Sequence, residues 1–372
     1  VKDSAPIRLS HSVVLLPSQL GWILSGSRSG ITVNSCQVNY INLSQTDFTQ
    51  DNALRSFWDL ETIGITDSQT RPMSIKDEML LQQFHASFKI EDERRVVSLP
   101  KKQGVTLPPN KWNAERRFRA LQRKLDGNDD LKKEYHSQML NYITQGQVEV
   151  APPEDSESMF YLPHQIVKKQ KHGNTKWRIV FDASSHEANS PSLNEVLEIG
   201  PNLFPEICAG LLRFRLHPCA IISDIKQAFL QLVLDPEDRD LTRFLWYHSA
   251  KDSNGRFYTT DEVITYRFTR LPFGLTCSLF LLSATLREHA NKQRAAFPTA
   301  APLVDDNMFM DDFVAGADND NSAITAYYEL TALMRMVNFP LAKWATNSDQ
   351  LKTIWKAEGQ TIETETEVLG VS

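Results

Sequence analysis

Two adjacent aspartates, Asp311 and Asp312, lie between apolar neighbours in the run FMDDFVAGA. Met308, Phe309 and Met310 precede or abut the pair, and Phe313 and Val314 follow it. Neighbouring carboxylates in an apolar, strand-like setting repel each other, and burying them unpaired is costly. A cation between them removes the cost. The chain is therefore expected to turn at the pair as a hairpin and to bring another acid close by. Asp224 closes a second apolar run, CAIISDI. Two hairpin carboxylates and a third from a neighbouring strand suit the binding of two magnesium ions.

The chain has 372 residues, more than one compact core usually serves, so two or three domains or subdomains are expected. Its four cysteines, Cys36, Cys208, Cys219 and Cys277, form no CxxC pair, which argues against a zinc cluster or a disulfide framework. The sequence contains no run of 18 apolar residues and no signal-peptide pattern, so no membrane segment is expected. Net charge is -6, which does not by itself suggest a nucleic-acid partner. The distribution does. Ten Lys and Arg fall between Lys101 and Lys133, and Lys168, Lys169, Lys171, Lys176 and Arg178 follow one another without an acid. Acids gather at Asp235–Asp240, Asp305–Asp320 and Glu358–Glu367. A basic face opposite an acidic centre gives this pattern, and solvated helix faces give it equally.

Periodicity orders the elements. Residues 7–33 read as short strands broken by Pro, Gly and Ser turns, 34–52 as a polar linker, and 53–66 as a short helix. Ile75, Met79, Leu80 and Phe84 mark a helix over 74–88, and RRVVSLP marks a strand. Two helices are expected over 111–145, broken at Asp126-Gly127-Asn128. Strands flank a turn near Lys171–Asn174. A helix over 203–215 precedes the CAIISDI strand; further strands lie near Leu241–Trp246 and over 262–268. SLFLLSATLREHANKQ and 320–336 read as helices, and NFPLAKWATN as an exit strand. Pro302 and Asn307 suggest a turn at Asp305-Asp306. The order describes an α+β domain with an antiparallel sheet covered by helices on one face.

Several blocks in this order resemble the reverse transcriptase of BEL/Pao-class LTR retrotransposons: GWILSG, LRSFWDLETIGI, FYLPH, KWRIVFDAS, PSLNEVL, GPNLFPEI, SDIKQAFLQL, YRFTRLPFGLTCSLFLLSATL, FMDDFVAG, LAKWATN and VLGV. The resemblance implies a right-hand polymerase. A C-terminal remnant of a retropepsin-like protease region would span 1–33, a linker with short helices 34–90, fingers 91–215 and palm 216–372, with fingers insertions near 235–265. No DTG or DSG triplet occurs, so no protease activity is expected. The thumb is expected to be absent, which would leave this chain weakly processive or inactive alone.

The implied activity is RNA-directed DNA synthesis, adding dNTPs to a primer 3′-hydroxyl on an RNA or DNA template. Asp224, Asp311 and Asp312 would be the metal-holding catalytic carboxylates, with two Mg2+ or Mn2+ ions as cofactors. Phe309 stands where such enzymes commonly carry tyrosine. Lys343 would donate a proton to pyrophosphate or stabilise charge. Lys176 and Arg178 would clamp the triphosphate, the arginine by its bidentate fork. Phe229, five residues past Asp224, would be a steric gate against the 2′-hydroxyl; spacing alone reads it as a core phenylalanine. Phe273 and Gly274 would line the nucleotide pocket, and Leu369 and Gly370 would form the primer grip. Asp182 reads as structural. Implied partners are the template with its primer, dNTPs and the remaining polyprotein domains (thumb, RNase H, integrase); the implied location is a cytoplasmic virus-like particle or the nucleus. The alternative from another class is a catalytically silent polymerase-fold fragment that binds nucleic acid or protein.

Overall fold

The computed structural model describes residues 7–8, 13–18, 21–26, 73–154, 159–171, 174–187, 190–251, 254 and 257–363. The chain forms two compact units, Val1–Thr66 and Asp67–Ser372. In the first, strands β1 (Ile7–Arg8), β2 (Val13–Ser18) and β3 (Gly21–Gly26) pair as an antiparallel sheet, as the turn-punctuated sequence predicts. The expected linker and helix over 34–66, and Leu369 and Gly370, lie outside the described residues.

The second unit opens with helix α1 (Ile75–Ala86), capped by Ser74, whose hydroxyl accepts from the Asp77 amide at 3.1 Å. Strands β4 (Ile90–Glu91) and β5 (Arg94–Val97) follow, then α2 (Lys111–Asp126) and α3 (Asp129–Thr144). The break between these two helices falls where Gly127 and Asn128 place it. The Asn128 side chain accepts from the Leu131 amide at 3.0 Å, and Asp129 and Asp130 oppose the positive end of the helix dipole. Phe118, Leu121 and Leu125 of α2 and Leu131, Tyr135 and Met139 of α3 form the buried faces.

Strand β6 (Val148–Val150) precedes the hairpin of β7 (His164–Lys171) and β8 (Asn174–Phe181), which pair antiparallel from His164↔Phe181 to Lys171↔Asn174. Helix α4 (Leu193–Val196) starts in a capping box made by Ser192 and Glu195. Helix α5 (Ile207–Leu216) begins later than the expected 203, because a residue before proline is disfavoured in helical geometry and Pro205 follows Phe204. None of its ten residues is fully buried; Ala209, Gly210, Leu211 and Phe214 are half-buried.

Strand β9 (Cys219–Ile225) carries Asp224. After it the chain makes a tight helical turn at Ala228–Gln231 before β10 (Val233–Leu234), which pairs parallel to β5. Strands β11 (Arg243–Lys251) and β12 (Phe257–Phe268) form an antiparallel sheet with β6. Helix α6 (Ser278–Gln293) has the span its sequence predicts. Helix α7 (Ala300–Asn307) replaces the turn expected at Asp305-Asp306. Pro302 sits in its first turn, where the missing amide has no helical acceptor to lose. Strands β13 (Met308–Phe309) and β14 (Asp312–Ala317), helix α8 (Asp320–Arg335), strand β15 (Leu341–Thr346) and helix α9 (Asp349–Ala357) complete the unit.

The sheet that positions the site has the order β13-β14-β9-β15, and every pairing in it is antiparallel. Helices α5, α7, α8 and α9 pack against its strands. On β9, Ile221, Ser223 and Ile225 are buried while Ile222 and Asp224 are half-buried, the period-two alternation of a strand with one face in the core. Phe118, Tyr135, His164, Phe181, Phe244, Trp246 and Phe268 join α2, α3, the β7–β8 hairpin and the β11–β12 sheet in one aromatic cluster. Arg95 is buried beside α6: its Nε donates to Glu288 Oε2 at 3.0 Å, and its other nitrogens donate to the Ser87, Val96 and Phe84 carbonyls. A buried guanidinium paired and hydrogen-bonded in this way avoids the penalty of an isolated charge.

Candidate active site

Asp224 and Asp312 face each other directly across β9 and β14. The Ile225 amide donates to the Asp311 carbonyl at 2.7 Å, one residue beyond the pair. That bond identifies Asp224 and Asp312 as a non-hydrogen-bonded cross-strand pair, the type with the closer side chains, about 4.5 Å between Cα atoms. Asp311 occupies the two-residue loop closed by Phe309↔Asp312. Its loop partner, Met310, has φ of 55°, a region glycine enters easily and methionine at a cost of about 1–2 kcal/mol. The hairpin expected from FMDDFVAGA is present, and the loop is strained at the pair.

The third strand at the site is β15, where Ala342 pairs with Asp224 and Ala345 with Ile222. The irregular register leaves Lys343 and Trp344 opposite one residue of β9, a bulge that re-aims side chains. Lys343 has φ of 53° there, and its Nζ pairs with Asp224 Oδ2. Gln227, just past Asp224, has φ of 54°. Of the six non-glycine residues with positive φ among the described residues, Gln227, Met310 and Lys343 thus flank the three carboxylates. Strain of this kind persists only where the surrounding structure holds it.

Burial, then the neighbouring Asp311 and Asp224 charges, push the Asp312 carboxyl up to about 6, while Lys343 opposes the shift. Burial raises Asp311 as well, with Asp224 adding to the shift and Lys343 and Arg178 working against it. Arg178, exposed on β8, therefore lies within electrostatic reach of Asp311. The other oxygen of Asp224, Oδ1, is buried and has no hydrogen-bond partner. An orphaned carboxylate oxygen beside two acids whose ionisation burial disfavours is a donor set that a divalent cation would satisfy. Among the described residues, no group of three or more His, Cys, Asp and Glu is already arranged to hold a metal ion. The carboxylates converge without forming a finished cage, and Lys343 supplies the positive charge that Asp224 meets.

Phe229 is buried in the turn after β9, and its ring meets Phe273 edge-on with centroids 4.6 Å apart. Phe273 is 52% exposed. The core reading of Phe229 and the gate reading are thus both compatible with its place: its ring is packed, and its neighbour opens to solvent. Gly274 has φ of 97°, and a Cβ there would lie 2.9 Å from the Phe181 carbonyl oxygen. Glycine is required both by backbone conformation and by close approach to β8. Lys176 lies on β8 opposite Lys169.

Asn194 was not singled out by sequence reasoning, yet it holds this loop. Its Nδ2 donates to the Gly274 carbonyl at 2.9 Å, and its Oδ1 accepts from the Thr276 amide at 2.9 Å. Its one sequence signal is a position two residues past the helix-capping Ser192, which does not distinguish it from other polar residues. Gln231 was also missed: Arg94 Nη1 donates to its Oε1, and its Nε2 donates to the Lys226 carbonyl at 2.9 Å. Asp182 is structural as expected, accepting from Arg117 Nη1 at 2.8 Å and from the Ser184 amide at 3.1 Å. Asp305 pairs with Arg294 and stands apart from the carboxylate group.

Among the described residues, no helix is long and apolar enough to cross a membrane. Comparison with curated proteins gives no match. A family model described as reverse transcriptase (RNA-dependent DNA polymerase) matches residues 134–346, more than half of the chain, from within α3 to the end of β15.

Proposed function

The chain belongs to the reverse transcriptase family, and from that premise we propose that it carries out RNA-directed DNA synthesis at the Asp224–Asp311–Asp312 centre. The observation that carries the reading is the cross-strand opposition of Asp224 and Asp312, with Asp311 in the adjoining loop, inside the matched region. On this reading the β13-β14-β9-β15 sheet is the palm, with the boundaries at 91–215 and 216–372 expected from the sequence, and the β7–β8 hairpin belongs to the fingers. The lineage is that of BEL/Pao elements, the location a cytoplasmic particle or the nucleus, and the partners include the remaining polyprotein domains.

Asp224, Asp311 and Asp312 would hold magnesium or manganese. Such ions, when bound, stabilise charge on the attacking and leaving oxygens of a phosphoryl transfer. The protein's own groups do the rest. Arg178 offers a planar fork to the triphosphate, with Lys176 on the same strand. Phe229, braced by Phe273, limits the space beneath the sugar and favours a deoxynucleotide. Gly274 lets the loop backbone come close to the substrate. Lys343, paired with Asp224, would donate a proton to the leaving pyrophosphate or stabilise its charge. Leu369 and Gly370 are assigned to the primer grip by resemblance alone.

Primer extension by this chain on RNA and DNA templates, with dNTPs or rNTPs and added Mg2+, tests the proposal. Extension with dNTPs that is lost in the Asp311→Ala/Asp312→Ala variant is expected. A folded chain that binds primer–template at low salt yet extends nothing would favour the silent-fragment reading.

A further inference from the structure

Helix α2 carries six Lys and Arg against two acids, more positive charge than the assigned site uses. Its buried face is Ala114, Phe118, Leu121 and Leu125. Trp112, Arg116, Arg119 and Arg123 follow one another at spacings of four, three and four residues, which places them on one stripe of a 3.6-residue helix. All four are exposed, and the stripe lies away from the core face. Trp112 is 63% exposed, an unusual position for a large aromatic side chain. The Arg116 guanidinium sits 5.0 Å from its ring centroid.

Two other basic residues of the helix have stronger commitments. Arg117 pairs with Asp182 at 2.8 Å, and Lys111 pairs with Glu154. In the stripe, Arg119 meets Glu115 only at 3.4 Å, with its side chain 70% exposed, a contact of little worth in water. Arg116 and Arg123 bond weakly to Asn113 and to the Arg119 carbonyl. The helix itself is firmly seated: Phe118 enters the aromatic cluster, and Gln122 donates to the Tyr247 hydroxyl at 3.1 Å. Helix α2 also packs on β7, the partner strand of the one that bears Arg178.

We propose that this stripe is a docking surface for single-stranded nucleic acid, with Trp112 stacking on a base and Arg116, Arg119 and Arg123 contacting successive phosphates. An exposed aromatic beside a row of arginines is the combination that binds single strands without reading their sequence. From Trp112 to Arg123 the stripe runs ~16 Å at the helical rise, which spans several nucleotides at about 3.4 Å each along a strand. The proposal rests on the polymerase reading only in suggesting that the bound strand is the template ahead of the site. The binding itself does not require catalysis.

The test uses the whole chain and fluorescein-labelled 20-nucleotide oligo-U and oligo-dT, with anisotropy read across a salt series. Trp112→Ala is expected to weaken binding roughly ten-fold, and Trp112→Phe to retain most of it. The Arg116→Gln/Arg119→Gln/Arg123→Gln variant should lower the steepness of log affinity against log salt by about 2. All are surface changes, so unfolding temperatures should stay at the parent value. In primer extension the triple variant should raise the template concentration for half-maximal rate and leave the saturated rate unchanged. Unchanged affinity and unchanged salt dependence in both variants would overturn the proposal. That result would leave the polymerase reading intact, because none of the four residues belongs to the carboxylate site.

Discussion

Asp312 stands directly opposite Asp224, in the pair type that brings cross-strand side chains closest, and among the described residues no cation pairs with Asp312 as Lys343 pairs with Asp224. Like charges so placed destabilise a sheet. Replacing Asp312 by asparagine should therefore stabilise the metal-free protein by about 1 kcal/mol. The same change should remove the stabilisation that Mg2+ or Mn2+ gives the parent, and abolish extension. Thermal unfolding in chelator and in excess cation measures both; a variant less stable than its parent in chelator would contradict the repulsion argument.

The raised Asp312 carboxyl gives a pH signature. Its folded value of about 6 lies above the ordinary value of 3.8, so between these the native state holds more protons than the unfolded state. In chelator the site's contribution to stability is greatest at low pH and is lost as pH rises through about 6. Divalent cations compete with that proton, so their affinity should rise from pH 5 to pH 7.5. Calorimetric titration of Mn2+ across this range should show the trend in the parent, and Asp312→Asn should bind too weakly to show it. A parent affinity independent of pH would refute the coupling.

His164 has the opposite sign. Burial drives its imidazole down to about 4, against a bond to the Leu245 carbonyl that favours the charged form. Nε2 donates to that carbonyl at 2.9 Å, which leaves Nδ1 to accept from the Tyr135 hydroxyl. The unfolded chain takes up a proton near the ordinary value of 6.5, before the native state does. The stability this group provides is complete above pH 6.5 and declines as pH falls toward 4. His164→Phe should cost roughly 1–3 kcal/mol at pH 7.5, because two buried polar partners lose their bonds. It should also make unfolding less sensitive to pH between 6.5 and 4, and urea titrations at several pH values will show whether the slope changes.

Phe229 and Phe273 form one edge-to-face unit. Shrinking the buried ring in Phe229→Val should open space for a ribose hydroxyl. The expected result is at least a ten-fold rise in the ratio of kcat/KM for rNTP over dNTP. A ten-fold change corresponds to about 1.4 kcal/mol of lost discrimination. The ratio is taken within one variant, so any loss of folded protein cancels. An unchanged ratio would return Phe229 to the role of core residue that its spacing also allows.

Much of the architecture was legible because local patterns carried it. Gly127-Asn128 marked the break between α2 and α3, and the uninterrupted SLFLLSATLREHANKQ pattern predicted α6 to the residue. Two expectations failed at prolines, whose effect depends on position: Pro205 delayed α5, while Pro302 was absorbed into the first turn of α7. The parallel pairing of β10 with β5 was not legible, since it joins two short apolar runs far apart in sequence. Asn194 and Gln231 escaped notice for a related reason: their importance lies in the backbone groups they meet.

By itself, the sequence determined that Asp311 and Asp312 sit at a turn between apolar strands, that Asp224 ends a third strand, and that glycine follows Phe273. Those are properties of residue order, set by side-chain period and turn chemistry. Only the tertiary structure decided that Asp224 meets Asp312 rather than Asp311 across the sheet, because register arises from pairing between distant strands. It alone put Lys343 on Asp224, through a bulge and a positive φ that no local pattern announces. The positions of these charges, and with them the raised Asp312 carboxyl, follow from burial and proximity, which exist only once the strands are side by side.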